Sequence, residues 1–158
     1  MLDHTRIGFI GGHESDTLMY QDIREHTFLR ERKERQLQTK DSDLYFGVFD
    51  ANTGYNGIKK AYESNDLPTA FICASDAVAI GALSAISELD LDISIISFNN
   101  VSTANYLNPP LTTVDLNTKF MGEAAVHMLT YMIRNDNIQP FQLLLSTELI
   151  IRNSVKKI

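Results

Sequence analysis

The chain has 158 residues, of which 44% are hydrophobic and 22% charged, so length and composition are typical of one globular domain and exclude a disordered or fibrous protein. The net charge of −6 argues against a nucleic-acid-binding face, and the single cysteine excludes an intrachain disulfide framework. No apolar run reaches the roughly 18 residues of a membrane helix, and the N-terminus lacks the apolar stretch of a signal peptide. We therefore expect a cytoplasmic location without membrane contact.

Short apolar runs alternate with amphipathic stretches along the chain. Strands are predicted at residues 7–10, 44–49, 70–74, 93–98 and 111–114, and the last strand-like run is at residues 142–151. Helices are predicted at residues 20–36, from a cap at Asn52 or Thr53 through Tyr62, at residues 77–88 and at residues 119–133. Buried strands that alternate with helices predict an α/β fold, a parallel-sheet three-layer sandwich with helices on both faces. Residues 99–110, which are polar and end in two prolines, predict a hinge or a crossing between domains.

Polar and aromatic residues follow the ends of several predicted strands. In open α/β sheets, ligands bind at the carboxyl ends of the strands. The candidate ligand-binding residues there are Arg24, Phe49, Ser75, Asp76 and Asn99. Residues 13–16 also follow the first strand. The mixture suits a polyhydroxylated ligand, because amides and carboxylates pair with hydroxyls, arginine offers a fork of donors, and an aromatic ring packs on the apolar face of a sugar.

Each candidate also has an ordinary structural explanation. Ser75 and Asp76 are common helix N-cap residues, and Asn99 followed by another asparagine can form a turn. Phe49 fits a core position. Arg24 lies in a charged helix, where most such side chains are solvated. On spacing alone, both readings of these residues stay open.

Signatures of catalysis are lacking in the sequence. It contains no Gly-x-Ser-x-Gly elbow, no P-loop and no Gly-x-Gly-x-x-Gly motif. The four histidines are scattered and are not accompanied by paired metal ligands. Cys73 lies within an apolar strand, which is typical of an inert core thiol. We therefore expect a protein that is not an enzyme and that carries no metal and no cofactor.

Several segments, in order along nearly the whole chain, resemble one protein family. They are H-T-R-I-G-F-I-G-G from His4, L-P-T-A-F-I-C-A-S-D-A-V-A-I-G-A-L from Leu67, D-I-S-I-I-S-F-N-N from Asp92, P-P-L-T-T-V from Pro109 and L-I-I-R-N-S from Leu149. Together they are similar to the effector domain of the LacI/GalR family of transcriptional repressors.

The resemblance implies a type I periplasmic-binding-protein-like fold, in which a small sugar binds between two lobes joined by three crossings. Residues 4–108 and 140–158 would form the C-terminal lobe, and residues 109–135 would belong with a missing N-terminal lobe. The helix around residues 120–132 is then expected to expose apolar surface. The resemblance also implies a homodimer that binds operator DNA through a helix-turn-helix headpiece absent from this chain.

Position by position, the resemblance assigns ligand contacts to the same five candidates. Asn99 stands where many members have an aspartate, which removes a negative charge from the site. The D-x-R-E pattern from Asp22 and the Asn-Asn ending look most like galactoside-responsive repressors, so a galactoside is the expected effector. The alternative is a solute-binding protein of a sugar transporter with the same fold. The lack of an evident signal sequence and the intracellular type of cysteine argue against that alternative.

Overall fold

The computed structural model describes residues 3–12, 22–135 and 139–158. Within these ranges the strands are β1 (Ile7–Ile10), β2 (Leu44–Tyr45), β3 (Ala70–Cys73), β4 (Ser94–Phe98), β5 (Thr112–Asp115) and β6 (Glu148–Ile150). The α-helices are α1 (Ile23–Glu34), α2 (Ala51–Glu63), α3 (Asp76–Glu88) and α4 (Thr118–Arg134), with short 3-10 turns at Asp41–Asp43 and Ser102–Tyr106. The predicted alternation of strands and helices is confirmed in its order.

The strands form one sheet in the order β2-β1-β3-β4-β5-β6. From β2 to β5 all neighbours run parallel, as predicted, with Phe9 opposite Ile72 and Ile72 opposite Ile96. The predicted parallel-sheet fold is confirmed, with one departure at the edge, where β6 runs antiparallel to β5. Glu148, the first residue of β6, lies opposite Asp115, the last residue of β5. The chain thus re-enters the sheet at the carboxyl end of β5, and a strand entering there must run against it.

Two predicted strands are shorter in the structure. The strand expected to reach Phe49 ends at Tyr45, because its partner β1 ends at Ile10. The carbonyl of Tyr45 accepts a last hydrogen bond from the amide of Gly11 at 2.8 Å, and the chain then leaves the sheet. Of the run predicted at residues 142–151, only Glu148–Ile150 forms a strand, β6, because the partner strand β5 has four residues available for pairing.

Two helices begin at an aspartate that caps them. The carboxylate of Asp22 caps α1, and the start predicted at residue 20 lies outside the described residues. The carboxylate of Asp50 accepts a hydrogen bond from the amide of Thr53 at 2.9 Å and caps α2. The cap predicted at Asn52 or Thr53 is therefore wrong, because an acidic side chain further upstream already satisfies the free amide of the first turn.

The sheet carries helices on both faces, as predicted. Helices α2 and α3 cover one face, and the strand residues fully buried beneath them are Ile10, Phe71, Cys73 and Ile95. Helix α1 packs on the other face, where the ring of Phe28 stacks on Phe9 with 5.2 Å between ring centroids. Burial raises the pKa of the Cys73 thiol, which keeps the reactive thiolate form scarce. The predicted core thiol is confirmed as buried.

Helix α4 lies away from this core. None of its residues is buried, and its large apolar side chains are exposed, including Phe120, Leu129 and Met132, each at 50% or more. The expected exposure of apolar surface on this helix is confirmed, whereas the assignment of residues 109–135 to another lobe stays a prediction. None of the helices in the described ranges has the length and apolar character needed to cross a membrane.

Charged residues form a cluster near the amino end of the sheet. The guanidinium of Arg6 donates two hydrogen bonds to the buried carboxylate of Asp43, at 2.9 and 2.6 Å, and also pairs with Asp66. The ammonium of Lys40 pairs with the same Asp66 carboxylate at 2.5 Å. This cluster ties the start of β1 to the loops before β2 and β3.

We expect this cluster to make folding stability depend on pH in acid. The Arg6 and Lys40 cations lower the pKa of Asp66 from 3.8 to about 2. A carboxylate with a lowered pKa stabilises the folded state above its unfolded pKa, and this stabilisation is lost as the pH falls through the folded value. The difference in unfolding free energy between the wild type and Asp66→Asn should therefore be constant above about pH 5 and shrink between about pH 4 and pH 2. Urea unfolding at several pH values measures it, and a difference that persists unchanged at pH 2 would contradict the expectation.

Candidate functional site

Arg24 is anchored at the carboxyl edge of the sheet, where the sequence predicts it. Asp22, the N-cap of α1 two residues earlier, accepts hydrogen bonds from the amide and the Nε of Arg24, both at 2.8 Å, and pairs with its Nη2. The Nη1 of Arg24 donates to the carbonyl of Ala74 at 2.5 Å, just beyond β3. The side chain is 27% exposed. The guanidinium therefore bridges α1 and the end of β3 and is held in one orientation.

Two aromatic rings flank the guanidinium. The Cζ of Arg24 lies 5.1 Å from the ring centroid of Phe49 and 5.9 Å from that of Phe98. Both distances fall within the range of cation–π interactions. The ring of Phe49 also lies on the backbone of Gly12, where a Cβ would stand 2.2 Å from a ring carbon. A glycine at position 12 is thus required for Phe49 to reach this place.

Ser75 and Asp76, which follow β3, have different environments. The hydroxyl of Ser75 accepts a hydrogen bond from the amide of Val78 at 3.4 Å and caps α3, so its predicted capping role is confirmed. Asp76 is fully buried. Its carboxylate accepts hydrogen bonds from the Ser97 hydroxyl at 2.5 Å, the Thr113 hydroxyl at 2.6 Å and the Val101 amide at 2.7 Å. Asp76 is therefore occupied inside the chain, joining α3 to β4 and β5.

Asn99 follows β4 at the same edge. Its backbone φ of 112° is unusual for a residue other than glycine, and its amide donates to the carbonyl of Val114 at 2.9 Å. Asparagine tolerates such a φ better than most residues, which agrees with the predicted turn. Among the described residues its side chain makes no hydrogen bond.

The structure places the predicted residues along one edge, but not all at the same depth. It brings Arg24 and Phe49 into contact, with Ser75 and Asn99 each next in sequence to a residue that touches Arg24. Asp76 lies in the interior. Sequence reasoning missed Phe98, although its position directly before Asn99 at the end of a strand was a usable signal. Residues 13–16 lie outside the described residues.

The site is an open edge bordered by a shallow groove. A groove of about 410 Å³ beside Arg24 is lined by Phe28, Ile72 and Phe98. A larger cleft of about 690 Å³, lined in part by Ile7 and Ile96, contains none of the predicted residues. Among the described residues, no group of three His, Cys, Asp or Glu side chains is placed to hold a metal ion. The edge offers an aromatic surface, a charge-balanced arginine and an amide, which can bind hydroxyl groups and an apolar ring face.

Fold and edge together define an α/β lobe of the periplasmic-binding-protein type. Residues 2–155 match the family model of the periplasmic binding protein-like domain. The chain belongs to that family, which confirms the predicted fold.

The relatives are transcriptional regulators. The chain is 34% identical over 161 residues to the HTH-type transcriptional repressor PurR of Actinobacillus pleuropneumoniae serotype 3 (strain JL03), covering 98% of this chain and 47% of the relative. It is 36% identical over 157 residues to the HTH-type transcriptional regulator GalR of Lacticaseibacillus casei, covering 94% of this chain and 47% of the relative.

A solved structure agrees with these relatives. A LacI family transcriptional regulator from Mycobacterium smegmatis matches with a TM-score of 0.81 and 27% identity, over 99% of this chain and 59% of that chain. The resemblance to the LacI/GalR family is thereby confirmed. The chain spans about half the length of the curated relatives it matches.

Proposed function

We propose that this chain is the effector-binding part of a transcriptional regulator and that its effector is a small carbohydrate, with a galactoside favoured. The observation that carries the proposal is the anchored guanidinium of Arg24 between the rings of Phe49 and Phe98, at the edge where α/β sheets bind ligands. Ser75, Asp76 and Asn99 complete the proposed site. Asp76 acts from the interior by holding the loop after β4.

The charge at this edge favours a neutral ligand. The Arg24 cation is balanced by Asp22, whose carboxylate accepts a hydrogen bond from the guanidinium Nε and forms an ion pair with Nη2. Asn99 is neutral. A neutral sugar hydroxyl can accept from the outward side of the guanidinium or pair with the Asn99 amide, while its ring packs on an aromatic face. The relative named GalR agrees with a galactoside, whereas the relatives named PurR supply the competing ligand class for the test.

The open edge suggests how the regulator works. In this proposal a second lobe, joined through residues 109–135, closes over the ligand and covers the exposed apolar side of α4. Ligand binding between the lobes then shifts their relative orientation. The protein acts as a homodimer in the cytoplasm and binds operator DNA through a helix-turn-helix segment outside this chain. We propose no catalytic role, since its relatives are regulators.

The substitution Arg24→Ala is expected to weaken effector binding by about 10-fold to 100-fold, because hydrogen bonds from a charged donor contribute about 1.5–3 kcal/mol. Isothermal titration calorimetry on the protein as its native gene encodes it, with methyl β-galactoside, galactose and hypoxanthine as probes, measures the affinity. We expect the galactosides to bind to the wild type.

The matched control is Arg30→Ala on the same helix, whose side chain is 54% exposed, and it should leave the affinity unchanged. Binding of hypoxanthine alone would show that the galactoside assignment is wrong. If a probe binds to the wild type and Arg24→Ala leaves its affinity unchanged, the ligand-binding site lies elsewhere.

A further inference from the structure

We propose that Asn100 is a positioning residue that ties the ligand edge to two chain segments, the one that leaves this edge after β5 and the one that returns through β6. The inference rests on the proposed function, because the edge that Asn100 positions is the proposed ligand site. The geometry itself is independent of the ligand.

Asn100 makes hydrogen bonds in three directions. Its Nδ2 donates to the carboxylate of Asp115 at 2.9 Å, and its Oδ1 accepts from the Nη2 of Arg152 at 2.9 Å. Its backbone amide donates to the hydroxyl of Thr113 at 3.3 Å. Its φ of 49° is left-handed, so the side chain is directed by a backbone that asparagine adopts readily. Both ends of the amide group are thus used, one by an anion and one by a cation.

The two partners stand where the chain departs from and returns to this lobe. Asp115 is the last residue of β5, directly before the chain passes into the exposed helix α4. Arg152 follows β6, the strand on which the chain returns. The Nη1 of Arg152 also donates to the carbonyl of Leu111 at 2.7 Å, and its amide donates to the hydroxyl of Thr112 at 2.8 Å. Arg152 is therefore fixed to β5 as well as to Asn100.

Asp115, Asn100 and Arg152 form a hydrogen-bonded bridge, and the charges of its two ends support this arrangement. Hydrogen bonds from Asn100 and from the amide of Asn117, together with the nearby Arg152 cation, lower the pKa of Asp115. The carboxylate stays charged and keeps the Asn100 amide oriented with its oxygen toward Arg152. An asparagine satisfies this pair because it carries a donor and an acceptor on one planar group.

The neighbours of Asn100 are attached differently. Val101 is held from the interior by the buried carboxylate of Asp76, which also accepts from Thr113 of β5 but bonds to neither Asp115 nor Arg152. Asn99 bonds to β5 only through its backbone amide. Among the described residues, Asn100 is the only one of the three whose side chain bonds to both Asp115 and Arg152. We therefore assign to Asn100 the coupling of these two residues to the loop after β4.

A double-mutant cycle read by hydrogen exchange tests this inference. Arg152→Lys and, separately, Asp115→Asn are made in the wild type and in an Asn100→Gly background, since glycine adopts a φ of 49° without strain. The protein as its native gene encodes it is used without ligand. Exchange of the peptide covering residues 98–101 is followed by mass spectrometry, and a peptide from α3 reports any global loss of stability. The matched control is Arg35→Lys, at an exposed surface pair with Glu31.

We expect each bridge substitution to speed exchange of the 98–101 peptide by about tenfold in the wild type and by less than about twofold in the Asn100→Gly background, because the transmitting side chain is then gone. Acceleration of equal size in both backgrounds, or none in the wild type, would overturn the role of Asn100. Arg152→Lys and Asp115→Asn test the role of Asn100 independently. If one of these variants fails to fold, the other still gives the result.

A ligand arm separates this inference from the proposed function. The same variants are titrated with methyl β-galactoside. If the effects of the substitutions on exchange are additive with Asn100→Gly, the positioning role is rejected even if the sugar binds. A lack of galactoside binding to the wild type counts against the proposed effector and leaves the exchange result to decide the role of Asn100.

Discussion

The substitution Gly81→Ala is expected to destabilise the fold by about 3 kcal/mol or more, because added volume in a well-packed contact forces the backbone to move. Helices α2 and α3 approach each other closely at this point. A Cβ on Gly81 would stand 1.7 Å from the carbonyl oxygen of Ala51, which is backbone and cannot rotate away. Gly54 makes the reciprocal contact, where a Cβ would lie 1.8 Å from the carbonyl oxygen of Val78. The helices must therefore separate and open the core between them and the sheet.

Urea unfolding of the wild type and the variant measures this effect. Gly122→Ala is the matched control, because Gly122 lies within α4 and a Cβ there would meet nothing within 4 Å. Alanine has the higher helix propensity, so the control should be neutral or more stable by up to about 1 kcal/mol. Equal free energies of unfolding for Gly81→Ala and the wild type would show that the two helices are not packed as closely as described.

The substitution Asp76→Ala is expected to cost about 3 kcal/mol or more of folding stability, since removing a buried charged acceptor leaves its donors unsatisfied. The carboxylate of Asp76 is fully buried and accepts from Ser97, Thr113 and the amide of Val101. Without it, two hydroxyls and an amide lose their acceptor where β4 and β5 end. The loop after β4 should loosen together with the global loss of stability.

Thermal or urea unfolding again supplies the measurement. Ser97→Ala removes one donor and leaves the carboxylate with two, so it should cost about 1 kcal/mol. The Asp41 side chain is 91% exposed and pairs with Arg32, so Asp41→Ala should change the stability by less than about 1 kcal/mol. If Asp76→Ala were as stable as Asp41→Ala, the structural role of Asp76 would be contradicted. The Asp76 carboxylate would then be assigned to direct ligand contact at the open edge.

Much of the fold was determined by local pattern in the sequence. The apolar runs of β1, β3 and β4 are continuous rather than alternating, which marks a parallel sheet with helices on both faces. Burial is complete only beneath α2 and α3, because Ile72 and Ile96 on the opposite face are partly exposed. Ser75 caps α3 as its type predicts. The candidate ligand edge also followed from sequence order, because carboxyl ends of parallel strands meet at one edge and Arg24 and Phe49 meet there.

Other features were decided only by tertiary structure. The direction of β6 depends on the path by which the chain re-enters the sheet, and no local pattern records that path. Phe98 joins the site because the alternation of β4 turns its ring toward the helix that carries Arg24.

The same holds for two polar residues. Asp76 and Asn100 follow strands and look alike in sequence as edge residues. Asp76 is buried and accepts hydrogen bonds from hydroxyls of two strands. Asn100 instead bridges two charged side chains from distant segments of the chain. Local propensities and strand order act over short distances, so the residues near the edge could be predicted from the sequence. The direction in which each side chain faces followed from the folded arrangement, because for Asn100 it depends on partners 15 and 52 positions away along the chain.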